Sequence, residues 1–143
     1  MPSFAINEGM FQLPDGWEDH SVTAISFPVG SKIPAASVTV TRETLKDSQE
    51  SLSSYVNAQM AKLAKTCAGF QLVRHMPTEL SGLPAEVVEF TWKTPEKITV
   101  RQIMLISFWK SQSLVITSTA AVERFVEFQP VFESILTSFR ARS

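Results

Sequence analysis

The order in which hydrophobic periods follow one another constrains the fold of this chain more than any other feature. Apolar residues recur at helical spacing from Ser48 to about Cys67, and again near the end of the chain. The stretches before and between these two alternate apolar with polar residues, as half-buried strands do. Strands that are grouped apart from helices are typical of an α+β domain. The sequence therefore predicts an antiparallel β-sheet with two main helices packed on it.

The predicted strands alternate, carry β-branched or aromatic residues and end at turn residues. They are Phe4–Ile6, Met10–Leu13, Ser21–Val29, Ala35–Arg42, Phe70–Leu80, Ala85–Trp92, Thr99–Lys110 and Ser113–Ser118. A hairpin loop is predicted around Gly30 and Pro34, and turns are predicted at Ser81–Pro84, Thr94–Lys97 and Ser111–Gln112.

The last apolar stripe contains a proline that interrupts it. Its members follow i, i+3, i+4 and i+7 spacing. They are Phe125, Phe128, Phe132, Ile135, Leu136 and Phe139. Pro130 has no N–H and clashes with the preceding turn when it lies inside a helix. We therefore predict a short turn near Ala120–Phe125, followed by the main helix from about Gln129 to Arg140.

Composition and charge exclude several classes of function. The 143 residues suffice for one domain (1–143) that buries a core without disulfides or metal. The formal net charge of −1 argues against a nucleic-acid partner. Cys67 is the only cysteine, so the chain has no intramolecular disulfide and suits a reducing compartment. No apolar run approaches about 18 residues, and no signal-peptide pattern is present. We expect a cytoplasmic protein that does not insert into a membrane.

Catalysis needs positioned acids, bases or nucleophiles, and the sequence offers few. His20 and His75 are the only histidines. The chain has no HExxH or CxxC motif, no glycine-rich phosphate loop and no GxSxG elbow. Glu18 and Asp19 stand next to His20, but paired acids in a turn cap backbone N–H groups more often than they form an acid–base site. We expect no enzyme activity, no catalytic residue, no metal and no cofactor.

The most distinctive pattern is the N-terminal segment from Asn7 to Ser21. Phe11 and Leu13 alternate with polar neighbours, as on a short strand. Pro14–Gly16 then reads as a turn, since proline fixes φ and glycine takes a positive φ freely. Trp17 follows at once as a large anchor. These residues by themselves predict a structural corner.

This segment resembles the opening of the DcrB-like family, whose best-understood members are the effector-associated (Eag) chaperones of type VI secretion. The family pattern is Asn-Glu-Gly, then Leu-Pro, then Trp, then Asp-basic-Ser. The chain matches it except that His20 stands where arginine is usual. The resemblance extends over nearly the whole chain and implies the Mog1/PsbP-like fold. It also implies a homodimer and a client, the N-terminal transmembrane region of a secreted effector.

Two glutamines stand in apolar surroundings. Gln59 lies within the apolar stripe of the first helix, and Gln102 lies between Val100 and Met104 on a largely apolar strand face. A buried amide without partners costs about 1–3 kcal/mol. Each glutamine therefore either bonds a backbone group or faces an apolar groove, where it would bond a helix that lies in the groove. In the Eag chaperones, glutamines in an apolar concavity contact client helices, and by position the resemblance places this role on Gln59 and Gln102.

We expect the groove to be lined by apolar side chains from the strands and the first helix. The candidates are Val22, Ala24, Val38, Val40, Met60, Leu63, Val100, Met104 and Ile106. Flexible methionines suit an adaptable contact surface. A large apolar groove on a lone domain is a liability, so we expect a homodimer that shields part of it.

The leading hypothesis is a cytoplasmic type VI secretion chaperone that shields the transmembrane helices of a PAAR- or Rhs-type effector. The same groove could instead hold an acyl chain, which would make the chain a small hydrophobic-ligand or lipid-binding domain. A third hypothesis is a Mog1-like protein-binding module that docks a folded partner through a polar surface.

Overall fold

The structure of the protein, a computed structural model, describes residues 3–6, 9–12, 15, 22–27, 36–45 and 49–140. The strands are β1 (Ser3–Ile6), β2 (Gly9–Gln12), β3 (Val22–Phe27), β4 (Ala36–Thr44), β5 (Gln71–Leu80), β6 (Leu83–Lys93), β7 (Thr99–Trp109) and β8 (Gln112–Ala121). The helices are α1 (Leu52–Thr66) and α2 (Val122–Ser138).

All strand pairs are antiparallel. β1 pairs with β2, and the other strands form one six-stranded sheet in the order β3-β4-β8-β7-β6-β5. The predicted α+β class, with two main helices on an antiparallel sheet, is confirmed.

Several predicted features lie outside the described residues. They are Asn7 and Glu8, Pro14, Gly16–Ser21 with Trp17 and His20, the loop around Gly30 and Pro34, and the helix start at Ser48. The described start of α1 is capped by Ser51, whose side chain accepts a hydrogen bond from the Ser54 N–H at 3.1 Å.

The middle strands are apolar on both faces, so each face of the sheet is covered by a helix. In β7, Leu105 lies in the core on one face and Ile106 lies in the core on the other. In β8, Ile116 lies in the same core cluster as Leu105, and Val115 lies in the same cluster as Ile106. α2 covers the first face and α1 covers the second, where it packs mainly on β6 and β7. Burial of each such side chain contributes about 1.5–3 kcal/mol.

α2 is one continuous helix, so the predicted break before Pro130 is wrong. Phe125 and Phe128 precede the proline and Phe132 follows it, and each is at most 6% exposed. The Phe132 ring centroid lies 5.9 Å from that of Phe125 and 6.3 Å from that of Phe128. An interior proline costs about 3 kcal/mol. The burial of three phenylalanines against one sheet face outweighs that cost and keeps the helix intact.

Two hairpin turns differ from their predicted bounds: the first is shorter, and the second has the predicted length but is shifted by one residue. β6 already begins at Leu83, because Ser81 and Gly82 alone close the β5–β6 hairpin with φ values of 53° and 82°. Two central residues with positive φ are what a type I′ turn requires. β8 begins at Gln112, after a turn in which Lys110 has a φ of 57°.

A buried carboxylate joins three strands on the face that α2 covers. Glu89 of β6 is 1% exposed. It accepts a hydrogen bond from Arg74 Nε of β5 at 2.8 Å and another from Arg101 Nε of β7 at 2.5 Å. The Arg101 guanidinium also lies 4.6 Å from the ring centroid of Phe125. Because both carboxylate oxygens have partners, the charge is not left unpaired in the interior.

β5 lies at one edge of the sheet. Leu72, Val73 and Met76 are about half exposed, at 50%, 47% and 46%. The β5–β6 pairing shifts register between Leu72 and Arg74, and Pro77 lies in the middle of the strand. A proline contributes no N–H to a strand ladder, which confines it to edge strands, strand starts and bulges.

Candidate functional site

A chain of hydrogen bonds fixes where α1 lies on the sheet. The Tyr55 hydroxyl donates to Ser113 Oγ of β8 at 2.8 Å, and the Ser113 hydroxyl donates to the Glu43 carbonyl oxygen of β4 at 3.4 Å. Tyr55 is 7% exposed and Val56 is fully buried beside it. The first turn of α1 is thereby tied to β4 and β8, and the helix packs mainly on β6 and β7.

On the same face, β4 and β8 carry half-buried hydroxyl side chains. They are Ser37, Thr39, Thr41, Thr117 and Thr119, and we call them the hydroxyl surface. The register places Ser37 opposite Thr119, and Thr39 opposite Thr117. Each of these side chains can donate one hydrogen bond and accept others. This part of the face tolerates water and can also bond a partner.

Gln102 lies where the hydroxyl surface meets the apolar cluster under α1. Its Oε1 accepts a hydrogen bond from Trp92 Nε1 at 2.9 Å, and its Nε2 donates to Thr119 Oγ1 at 2.7 Å. The side chain is half-buried. Gln102 therefore bonds two side chains of neighbouring strands, an arrangement that the sequence did not suggest.

Gln59 lies on α1 and is also half-buried. Its amide makes no hydrogen bond within the part of the chain that the structure describes. Among the described residues, Ser118 Oγ is the fully buried side-chain atom that has no hydrogen-bond partner. The Gln59 amide is therefore unpaired among these residues but not fully buried. Gln59 therefore keeps its donors and acceptor available to water or to a partner.

Five apolar candidates lie on α1 and β7, on the face of Gln102. Met60, Leu63 and Met104 are half-buried and pack against the core cluster under α1. Val100 is half-buried and lies opposite Trp92 and Ala121 in the register.

The fifth of these, Ile106, is 1% exposed and belongs to the core itself. Its side chain is not accessible to a partner. Of these five candidates, the two methionines, Leu63 and Val100 therefore keep accessible apolar atoms.

The β3–β4 pair divides its four candidates between the two faces. Ala24 pairs with Thr39, which puts it beside the hydroxyl surface, and it is exposed. Val22 pairs with Thr41, and its side chain lies outside the described residues.

The other two candidates, Val38 and Val40, lie on the face that α2 covers. Val38 is 4% exposed in that core, and Val40 packs against it. They cannot line one groove with Gln102, because successive residues of a strand point to opposite faces. The sequence prediction that they share its groove is wrong in geometry.

The described residues offer little for metal or acid–base chemistry. No group of three or more histidine, cysteine, aspartate or glutamate side chains within them could hold a metal ion. His75 Nε2 lies 2.5 Å from Glu86 Oε1, at the edge of the sheet. Neither α1 nor α2 is long and apolar enough to cross a bilayer. What this face brings together is thioether, aliphatic, hydroxyl and amide groups, which suit contact with another chain.

Comparison with known proteins assigns the family. Residues 8–138 match the family model named DcrB. The chain belongs to the DcrB family. This match confirms the resemblance that the N-terminal segment carries. The chain is also 22% identical over 106 residues to a Pseudomonas aeruginosa protein named Effector EagT6, and the match covers 73% of each chain.

Solved structures share the fold. A protein of unknown function from Pseudomonas aeruginosa, PA94, matches with a TM-score of 0.83 at 19% identity, over 100% of this chain and 98% of that one. Cyanobacterial PsbP from Synechocystis matches with a TM-score of 0.59 at 10% identity, over 99% and 92% of the two chains. LpqN of Mycobacterium tuberculosis matches with a TM-score of 0.55 at 15% identity, over 85% and 84%. The expected Mog1/PsbP-like fold is confirmed.

The position of α1 can be tested through Tyr55, the only tyrosine of the chain. Burial raises the pKa of Tyr55 above its ordinary value, the hydrogen bond to Ser113 lowers it, and Glu43 and Glu50 raise it. Because its pKa is raised in the folded protein, Tyr55 contributes to the free energy of unfolding. This contribution is complete below about pH 10, the pKa of tyrosine in the unfolded chain, and is lost as the pH rises through the pKa of Tyr55 in the folded protein. We expect phenolate absorbance to appear at higher pH in the native protein than in concentrated urea.

Tyr55→Phe provides the control for this titration. The variant should show no phenolate signal, and its free energy of unfolding should lose less as the pH rises above about 10. Equal titration midpoints for the native and unfolded protein would contradict the buried position of Tyr55.

Proposed function

We propose that this protein is a cytoplasmic, non-enzymatic chaperone of type VI secretion that shields the N-terminal transmembrane helices of a PAAR- or Rhs-type effector. The observation that carries the proposal is the match to the DcrB family, together with the similarity to Effector EagT6 over 73% of the chain. Both agree with the N-terminal pattern, which resembles that of the Eag chaperones.

The physics of the candidate site fits this task. A transmembrane helix exposes about 20 apolar residues when it is held in water. Met60 and Met104 offer flexible, polarisable side chains that adapt to such a surface. Helices in membranes also associate through small residues and hydrogen bonds, which the hydroxyl surface and the amides of Gln59 and Gln102 could supply. The site thus offers a bound helix the kinds of contact that another membrane helix would offer.

A homodimer belongs to the proposal. An uncovered apolar groove on a single domain invites non-specific association. A second copy would shield part of the groove and would allow more than one client helix to be held. The resemblance to the Eag chaperones implies the same assembly.

The proposal is tested by co-expression with a client. The hydrophobic N-terminal segment of an effector encoded beside this gene is fused to a soluble reporter and expressed with or without this protein. We expect the soluble reporter to increase severalfold with this protein and to co-purify with it. A reporter without the segment should not respond. Reporter solubility that does not depend on this protein would end the proposal.

Gln59 provides a sharper test, because its amide has no bond to lose among the described residues. We expect Gln59→Ala to reduce the amount of co-purified reporter while the free energy of unfolding changes by no more than about 0.5 kcal/mol. Asn57→Ala is the matched control, because Asn57 is an exposed amide on the same helix. A large loss of Tm with unchanged capture would instead assign Gln59 to the core.

For the lipid-binding alternative, which the sequence placed in the client groove, the structure offers a cavity at a different place, on the face that α2 covers. It has a volume of about 460 Å³ and lies between the end of the β5–β6 hairpin and α2. Its floor includes Leu80, Ile103 and Phe132, and its size lies within the range of small-molecule pockets. A lipid carried by the protein would appear as added mass in native mass spectrometry after gentle purification. A protein with the mass of the chain alone would count against this alternative.

A further inference from the structure

Trp92, Gln102 and Thr119 form a hydrogen-bonded row across three adjacent strands. Gln102 of β7 lies directly opposite Thr119 of β8. Trp92 of β6 lies opposite Val100, one position along the same face from Gln102. The three side chains are half-buried, and the glutamine amide spans the row with bonds of 2.9 Å and 2.7 Å. The row therefore fixes the amide from both sides.

The chemistry of the row determines which way the amide faces. An indole N–H can only donate, so the group it meets must be the Gln102 oxygen. The Gln102 nitrogen is then directed to Thr119, whose hydroxyl oxygen accepts from it. The reverse orientation would set two donors against each other at Trp92. Without the indole N–H and the threonine hydroxyl, the amide could rotate freely.

We propose that Trp92 and Thr119 are positioning residues that hold the Gln102 amide in one orientation for client binding, an inference that rests on the proposed function. The amide nitrogen carries two hydrogens, and the structure uses one of them on Thr119. The other is left for an acceptor on the client helix, either a hydroxyl or a backbone carbonyl that a small residue leaves uncovered. A side chain that is already ordered loses less conformational entropy when it binds.

This role distinguishes the two glutamines. Gln59 has no bond among the described residues and can adapt to whatever the client presents. Gln102 presents one fixed donor. The Gln59 amide therefore tolerates variation among client helices, whereas the Gln102 amide requires an acceptor at one position of the client helix.

The orientation is tested first without a client. Two-dimensional ¹⁵N–¹H spectra contain the side-chain amide signal of Gln102, which is identified by its absence in Gln102→Ala. We expect this signal to be shifted from those of exposed glutamines, and we expect the hydrogen that is bonded to Thr119 to exchange slowly with water. In Trp92→Phe and in Thr119→Val, it should move toward the exposed values. A wild-type signal that already matches an exposed glutamine would overturn the proposal.

The consequence for binding is tested with the effector segment fused to the reporter. Thr119→Val removes the hydroxyl and keeps the side-chain volume, whereas Trp92→Phe removes the indole N–H and keeps an aromatic ring of smaller volume, so Thr119→Val is the cleaner of the two variants. We expect each variant to raise the Kd for the reporter by about three- to tenfold. Neither substitution should add to the effect of Gln102→Ala. Thr91→Val is the control, because Thr91 is a half-buried threonine of β6 on the opposite face.

The outcomes separate this inference from the proposed function. If the wild-type protein binds the segment and both variants bind it equally well, the positioning role is wrong and the chaperone function stands. If Trp92→Phe or Thr119→Val weakens binding further in the Gln102→Ala background, these residues act independently, and the positioning role is again wrong. If the wild-type protein does not bind the segment, the proposed function fails, and the inference fails with it.

Discussion

The central strands are apolar on both faces, and the need to cover both faces decides the rest of the structure. α2 meets the need on one face with three buried phenylalanines, whereas α1 buries only Tyr55 and Val56 and packs mainly on β6 and β7. α1 needs to bury only these two side chains, because β4 and β8 carry the hydroxyl surface on that side of the sheet and do not need to be covered there. The same two strands bury Val38 and Ile116 on the other face. β4 and β8 therefore serve the core with one face and keep part of the other face, the hydroxyl surface, available for contact.

The local elements could be predicted from the sequence because hydrophobic period is a property of neighbouring residues. The strands and α1 lie close to their predicted bounds. α2 is the exception. Pro130 is a strong local signal for a helix start, but Phe128 and Phe132 pack on the sheet from both sides of it and hold the helix together. That packing depends on tertiary structure, which a local pattern does not contain.

The site was harder to predict than the fold. Val38 and Val40 carry the right chemistry for an apolar groove, but only the register with β8 assigns them to the α2 face. The sequence indicates Gln102 as a candidate because an amide among apolar residues needs a hydrogen-bond partner. Its partners are 10 and 17 residues away on other strands, so no local motif could identify them. One usable signal was Trp92, since a half-buried indole N–H normally requires an acceptor.

Strand β5 leaves a row of backbone groups at the rim of the sheet, and such rims act as templates on which other chains can grow. Pro77 removes a donor from the middle of this row, and the bulge after Leu72 disturbs its spacing. An unfolded or misfolded chain could not add along the whole strand, although its apolar side chains are exposed. For a protein that is proposed to bind an apolar segment, this interruption reduces the risk that the segment pairs with the edge of the sheet. Pro77 and the bulge thus limit the addition of a further strand to β5, whichever chain would supply it.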